Sequence, residues 1–123
     1  MRVLLSCLVA TASLCLVAAP PAAAEPPWRA AADLRTSLTE AQRALSRDDR
    51  VLAGRLVAQA QELSLARHPQ VRRGLDAAGT AVRADDAVSF EVARAQAWTG
   101  VLGIAADRTL GALERGDLDA ARA

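Results

Sequence analysis

The chain has 123 residues and carries 15 basic side chains, all of them arginine, against 14 acids and one histidine, for a net charge of +1. So even a balance excludes the basic stripe with which nucleic-acid binders neutralise phosphates. The aromatics are confined to Trp28, Phe90 and Trp98, too few to build stacking platforms for bases or sugars.

Residues 1–24 read as a signal peptide. Arg2 gives a short positive start, Val3 to Ala19 is apolar apart from Ser6, Thr11, Ser13 and two cysteines, and Pro20-Pro21 breaks the run. Ala22-Ala23-Ala24 then offers a small-residue cleavage site before Glu25. The apolar stretch is at the lower limit for crossing a bilayer, so an uncleaved anchor is the alternative. Neither Cys7 nor Cys15 lies in a lipobox setting, which argues against a lipoprotein. Both cysteines fall inside this leader. Residues 25–123 are therefore expected to form one small exported domain without disulfide, thiolate nucleophile or Cys-ligated metal, stabilised by packing alone.

After Pro27 the pattern is helical throughout. Leu34, Leu38, Ala41 and Leu45 recur on one face, which predicts a first helix over about 28–46 with Pro27 in its opening turn. Leu52, Leu56, Val57, Ala60 and Leu63 predict a second, with Arg67 and His68 in its last turn and Pro69 as its stop. Val71, Leu75, Ala78 and Val82 form a third stripe, started by Pro69. Val88, Val92, Ala95 and Leu102 form a fourth, expected to face the core; that helix either runs on to Leu113 or breaks near Gly100 or Gly103. No segment alternates with period two, so no strand is expected. The predicted fold class is all-α: an antiparallel bundle of four to five helices.

Three stretches resemble one another: Ala44 to Asp49, Ala81 to Asp86 and Ala112 to Asp117. Each pairs an alanine and an apolar residue with an aspartate five positions after that alanine. The apolar pair is expected to close one helix and the aspartate to cap the next. The spacing approaches that of helical-hairpin repeats, but the tetratricopeptide signature is missing. By the same reading Asp117 caps a helix over Leu118 to Ala123.

Candidate chemistry is sparse. Asp48/Asp49 and Asp85/Asp86 could serve as acid–base pairs or cation ligands, yet adjacent acids on a helix diverge and both pairs sit where caps belong. His68 has no ligand or base partner nearby in sequence and suits a helix end better. Ser37, Ser46, Ser64 and Ser89 lack a nucleophile-elbow context. Gly100 and Gly103 do not make a phosphate loop. Arg72-Arg73 read as solvated surface, Trp98 as core, and Trp28 as a packing staple at the start of the first helix. The expectation is no catalytic, cofactor-binding or metal-binding residue and no cofactor, leaving a helical surface for a partner or a spacer domain.

The segments "DLRTSLTEAQRALSRDDRVLAGRLVAQAQ" and "GLDAAGTAVRADDAVSFEVARAQAWTGVLGIAADRTLGALERGDLDAARA" resemble the extracytoplasmic N-terminal region of actinobacterial members of the high-affinity, Ftr-type iron permease family. The resemblance covers most of Leu34 to Ala123. It implies a helical outer region that, in the family, precedes a multi-helix membrane permease for oxidised iron. The family's R-E-G-x-E motif on membrane helices is absent, so no residue here inherits the iron-handling role. The resemblance implies a truncated or split permease, or a stand-alone copy of its outer domain, partnered through helix packing with a membrane permease. Two readings compete with it: a small exported carrier, for example of haem, for which His68 is the sole good ligand, and a helical adaptor. The adaptor requires a contiguous apolar surface left open by the fold.

Overall fold

The computed structural model describes residues 27–122; the expected leader, with Cys7 and Cys15, lies outside them. Five α-helices and one 3₁₀ turn follow one another: α1 Pro27–Leu45, α2 Arg50–Gln61, the 3₁₀ turn Ser64–Arg67, α3 Pro69–Arg83, α4 Ala87–Glu114 and α5 Leu118–Arg122. There is no strand among the described residues.

The helices fold back through three corners of one design. Asp49, Asp86 and Asp117 each donate a backbone N–H to the carbonyl five residues earlier, of Ala44, Ala81 and Ala112, at 2.9, 3.0 and 2.9 Å. The preceding residue lies in the left-handed region: Asp48 at φ 60°, Asp85 at φ 54° and Gly116 at φ 70°. That is a Schellman ending, which satisfies the last carbonyls of the outgoing helix. The aspartate after it then turns its carboxylate onto the incoming helix: Asp49, Asp86 and Asp117 accept from the N–H groups of Leu52, Ser89 and Ala120. One link of three or four residues thus closes one helix and opens the next.

The core forms where these hairpins meet. Leu34, Leu38, Ala41 and Leu45 of α1 are buried, as are Val71, Leu75, Ala78 and Val82 of α3; both stripes lie as their spacing predicts. The second helix differs from expectation. It ends at Gln61, and Ser64–Arg67 forms a separate 3₁₀ turn that buries Leu65 and Ala66. Ala53, Val57 and Ala60 make its inner face, whereas Leu52 is exposed and Leu56 and Leu63 are half-buried. Arg67 and His68 therefore do not belong to α2, and Pro69 marks the start of α3 rather than the stop of its predecessor.

Of the two expected courses α4 takes the unbroken one, through Gly100 and Gly103; the largest difference lies in which face it buries. The side facing the core carries Phe90, Ala93, Ala97, Gly100 and Val101. Val88, Val92, Ala95 and Leu102 are exposed on the opposite side. The reason is steric. A Cβ added to Gly74 of α3 would overlap the backbone of Ala97, and one on Gly100 would lie 2.9 Å from the Val71 nitrogen. Such close approach needs small residues at the crossing, so valine and leucine are turned away from it. The pairing of Gly74 with Ala97 and of Val71 with Gly100 also fixes α3 and α4 as antiparallel. Phe90, fully buried, fills the wider end of the seam.

Candidate functional site

Past Gly103, which faces Gln70 near the start of α3, α4 has outrun its partner. Of its remaining residues only Ala112 is buried, at the corner to α5. The side of α4 turned from the core then presents a continuous strip: Val88, Val92, Ala95, Thr99, Leu102, Ala106, Leu110 and Leu113, every one exposed. The steps between them are of three or four residues, close to the spacing of a helix–helix seam. Val88 is 76% exposed and Leu102 57%. No charge interrupts the strip. Its threonine is not a polar gap either, because the Thr99 hydroxyl donates to the Ala95 carbonyl at 2.9 Å and leaves its methyl outward.

The third corner shows the same openness. At the first two, the apolar residue after the alanine is buried, Leu45 at 6% and Val82 at 4% exposure; at the third, Leu113 is 48% exposed. The backbone repeats, but the packing face above it is uncovered. Leu118 on α5, 58% exposed, extends the apolar patch around that corner.

A second feature is a cleft of about 500 Å³ between α1 and α4, walled by Arg35, Leu38, Thr39, Glu91, Arg94, Ala95 and Trp98. Glu91 Oε2 accepts from Arg94 at 2.7 and 3.2 Å. Its other oxygen, Oε1, is shielded from solvent and has no hydrogen-bond partner. Trp98, half-buried against the core, forms part of the cleft wall. The cleft brings the Arg35 and Arg94 side chains beside an apolar wall. Sequence reasoning missed both Glu91 and the open side of α4; the signal for the latter was present in the valine–leucine spacing but was assigned to the core.

The acids and the histidine singled out from the sequence do not converge. Asp48 and Asp85 occupy the left-handed corner positions, while Asp49 and Asp86 cap the next helix. The Asp86 carboxyl is held below the usual carboxylate range, first by the Ser89 hydroxyl and then by the Ser89 N–H. His68 is exposed between the 3₁₀ turn and α3, where its carbonyl accepts from Arg72 N–H at 2.9 Å and its side chain caps nothing. Arg72 and Arg73 are exposed. Trp28 does not act as a staple: it is 63% exposed, with the Arg29 guanidinium 5.6 Å from its ring centre. Among the described residues no three of His, Cys, Asp and Glu come together in a way that could hold a metal ion, and no helix is long and apolar enough to cross a membrane.

No curated protein and no solved structure matches the chain. A family model does: that of the iron permease FTR1 N-terminal domain, over residues 23–123. The match spans all the described helices, from the start of α1 to the corner that carries α5. The chain belongs to the iron permease FTR1 N-terminal domain family.

Proposed function

We propose that the chain is a non-catalytic, exported helical domain that serves high-affinity iron uptake as the outer region of an Ftr-type permease. The family match over residues 23–123 carries this reading. The domain contributes contacts between helices, not an iron site. This fits the dispersed acids and the lone His68, whose arrangement supplies no oxygen-rich cage for a hard cation. It also fits the long apolar strip on α4, a surface of the kind that marks interaction sites. Export rests on the leader pattern of residues 1–24, with cleavage before Glu25.

The same strip favours the adaptor reading over the haem carrier, since the adaptor requires a contiguous open apolar surface and the carrier requires a liganding side chain beside a cavity. His68 does not line the α1–α4 cleft.

Two measurements test the proposal. Deleting the coding sequence from its host should lower radio-iron uptake under iron limitation; unchanged uptake would refute a role in iron acquisition. Thermal melts of the purified chain with and without ferric iron should coincide. A midpoint raised in proportion to the logarithm of iron concentration would mean direct binding to the native state and would overturn the contact-only role. Mass spectrometry of the exported product should find Glu25 as its first residue.

A further inference from the structure

The open side of α4 has a property that a generic apolar surface lacks: it is complementary to itself. Rotate a second copy by half a turn about an axis across the helix between Gly100 and Val101, so that the two α4 helices run antiparallel. Thr99 then meets the partner's Leu102, and Ala95 meets the partner's Ala106. Further out, Val92 meets the partner's Thr109 and Val88 meets the partner's Leu113. Every one of these residues is exposed, and each layer pairs the two alternating positions of a helix–helix seam, as knobs-into-holes packing requires. The hydroxyl of Thr109, like that of Thr99, is already satisfied within its own helix, by the Ala105 carbonyl at 3.0 Å. Covering either threonine therefore strands no donor.

The edges of the strip agree with this register. Trp98, half-buried, lies against the partner's Ala105, a large side chain over a small one. No like charges face each other across the seam. The size is sufficient as well. From Val88 to Leu113 the helix rises about 38 Å, and a helix is about 10 Å wide. Two such strips bury roughly 1,000 Å² in total once side-chain relief is counted, the lower bound of a specific interface. A two-fold arrangement of this kind is closed, so it leaves no residual apolar strip to propagate.

We infer that the chain forms an antiparallel homodimer through α4, with Thr99 and Leu102 at its two-fold centre. The inference rests on the reading of this strip as an interaction surface and assigns it to a second copy of the chain; iron uptake and self-association are measured separately, so either can fail alone.

The test uses the full chain, purified and followed by sedimentation equilibrium from about 1 to 500 μM. An interface at the low end of the size range is weak and transient, so dimerisation should rise within this concentration range. Leu102→Glu should weaken it at least tenfold while helicity and melting temperature stay unchanged, because Leu102 is exposed in the single chain; Val92→Glu should do the same and serves if Leu102→Glu alters the fold. A chain that remains monomeric throughout, or a dimer undiminished by these variants, overturns the proposal. The register is read separately in a Cys7→Ser, Cys15→Ser background. Leu102→Cys should cross-link to its own copy under mild oxidation and Leu113→Cys should not. Cross-linking of Leu113→Cys as readily as Leu102→Cys would mean a parallel pair, in which every residue meets its own copy, and would overturn the antiparallel register.

Discussion

Asp86 couples the second corner to pH. Its carboxylate is stabilised in the folded chain by the Ser89 hydroxyl and by the Ser89 N–H, so its folded-state pKa lies below the unfolded one. The sign follows from linkage: the ionised cap adds stability at pH values above the unfolded pKa, and that contribution disappears as pH falls through the lowered folded value. Asp86→Asn keeps an N-capping side chain but cannot titrate. Its melting temperature should fall less steeply than that of the native chain on acidification, as followed by circular dichroism between pH 6 and pH 2. Parallel profiles would show that Asp86 does not carry this part of the acid response. The neighbouring Asp85 meets a different demand, a left-handed backbone at φ 54°. Aspartate tolerates that conformation better than most residues because its short polar chain can bond locally; the third corner meets the same demand with Gly116.

At the scale of elements, the α3–α4 crossing is decided by what its residues lack. Gly74 and Gly100 let two backbones approach closely. Gly74→Ala must push α4 outward, and overpacking of this sort costs about 1–3 kcal/mol. Gly79, also in α3, has ordinary space around a Cβ, with Val57 at 3.8 Å and the Arg83 guanidinium at 3.6 Å. Gly79→Ala should instead stabilise by up to about 1 kcal/mol through helix propensity. Urea titrations of the two variants should move the midpoint in opposite directions; a shift in the same direction would contradict the packing described. This contrast also explains how far the sequence could be read. The inner faces of α1 and α3 were legible because large aliphatics at helical spacing point inward. The inner face of α4 was not, because alanine and glycine occupy its centre between Phe90 and Val101 and spacing alone ranks the valine–leucine side as the more apolar. Likewise Pro69 signalled a boundary correctly, but proline fits the start of a helix as well as the stop of the one before. The short 3₁₀ turn between α2 and α3 therefore went unseen. At the candidate site, the strip on α4 was visible as a pattern, while its exposure was not. The Glu91 cleft depends on how α1 and α4 sit together, which no local signal encodes.

For the whole molecule, the core is built largely of alanine, with Phe90 its largest fully buried side chain. Alanines bury little area each, so stability rests disproportionately on a few larger groups: Phe90, Leu34, Leu38 and Leu75. Phe90→Ala should cost about 3–5 kcal/mol, a large share of the 5–15 kcal/mol typical of a domain. The expected outcome is a broad, low-temperature melt with retained helical signal but lost tryptophan dispersion. A sharp melt near the native midpoint would mean that the alanine-rich shell is self-sufficient. Neutral overall charge gives no solubility margin from self-repulsion, so the open strip on α4 should also govern how concentrated the protein can be before it associates.

The mismatch in length between α3 and α4 has a dynamic consequence. Where the two helices run together, each amide of α4 is protected by the tight contact of Gly74 with Ala97 and of Val71 with Gly100. Beyond Ile104, which still packs against the core, that protection ends, and the helix is braced chiefly by the corner at Ala112. Opening there breaks local hydrogen bonds without disturbing the core, so its free energy lies far below that of global unfolding. Deuterium uptake should accordingly divide α4 in two, slow over 90–104 and fast over 105–111, with the fast part slowing as protein concentration rises and the strip becomes covered. The domain would then work as a rigid base bearing a rod that unwinds and re-forms on its own, gaining order when something lies along it.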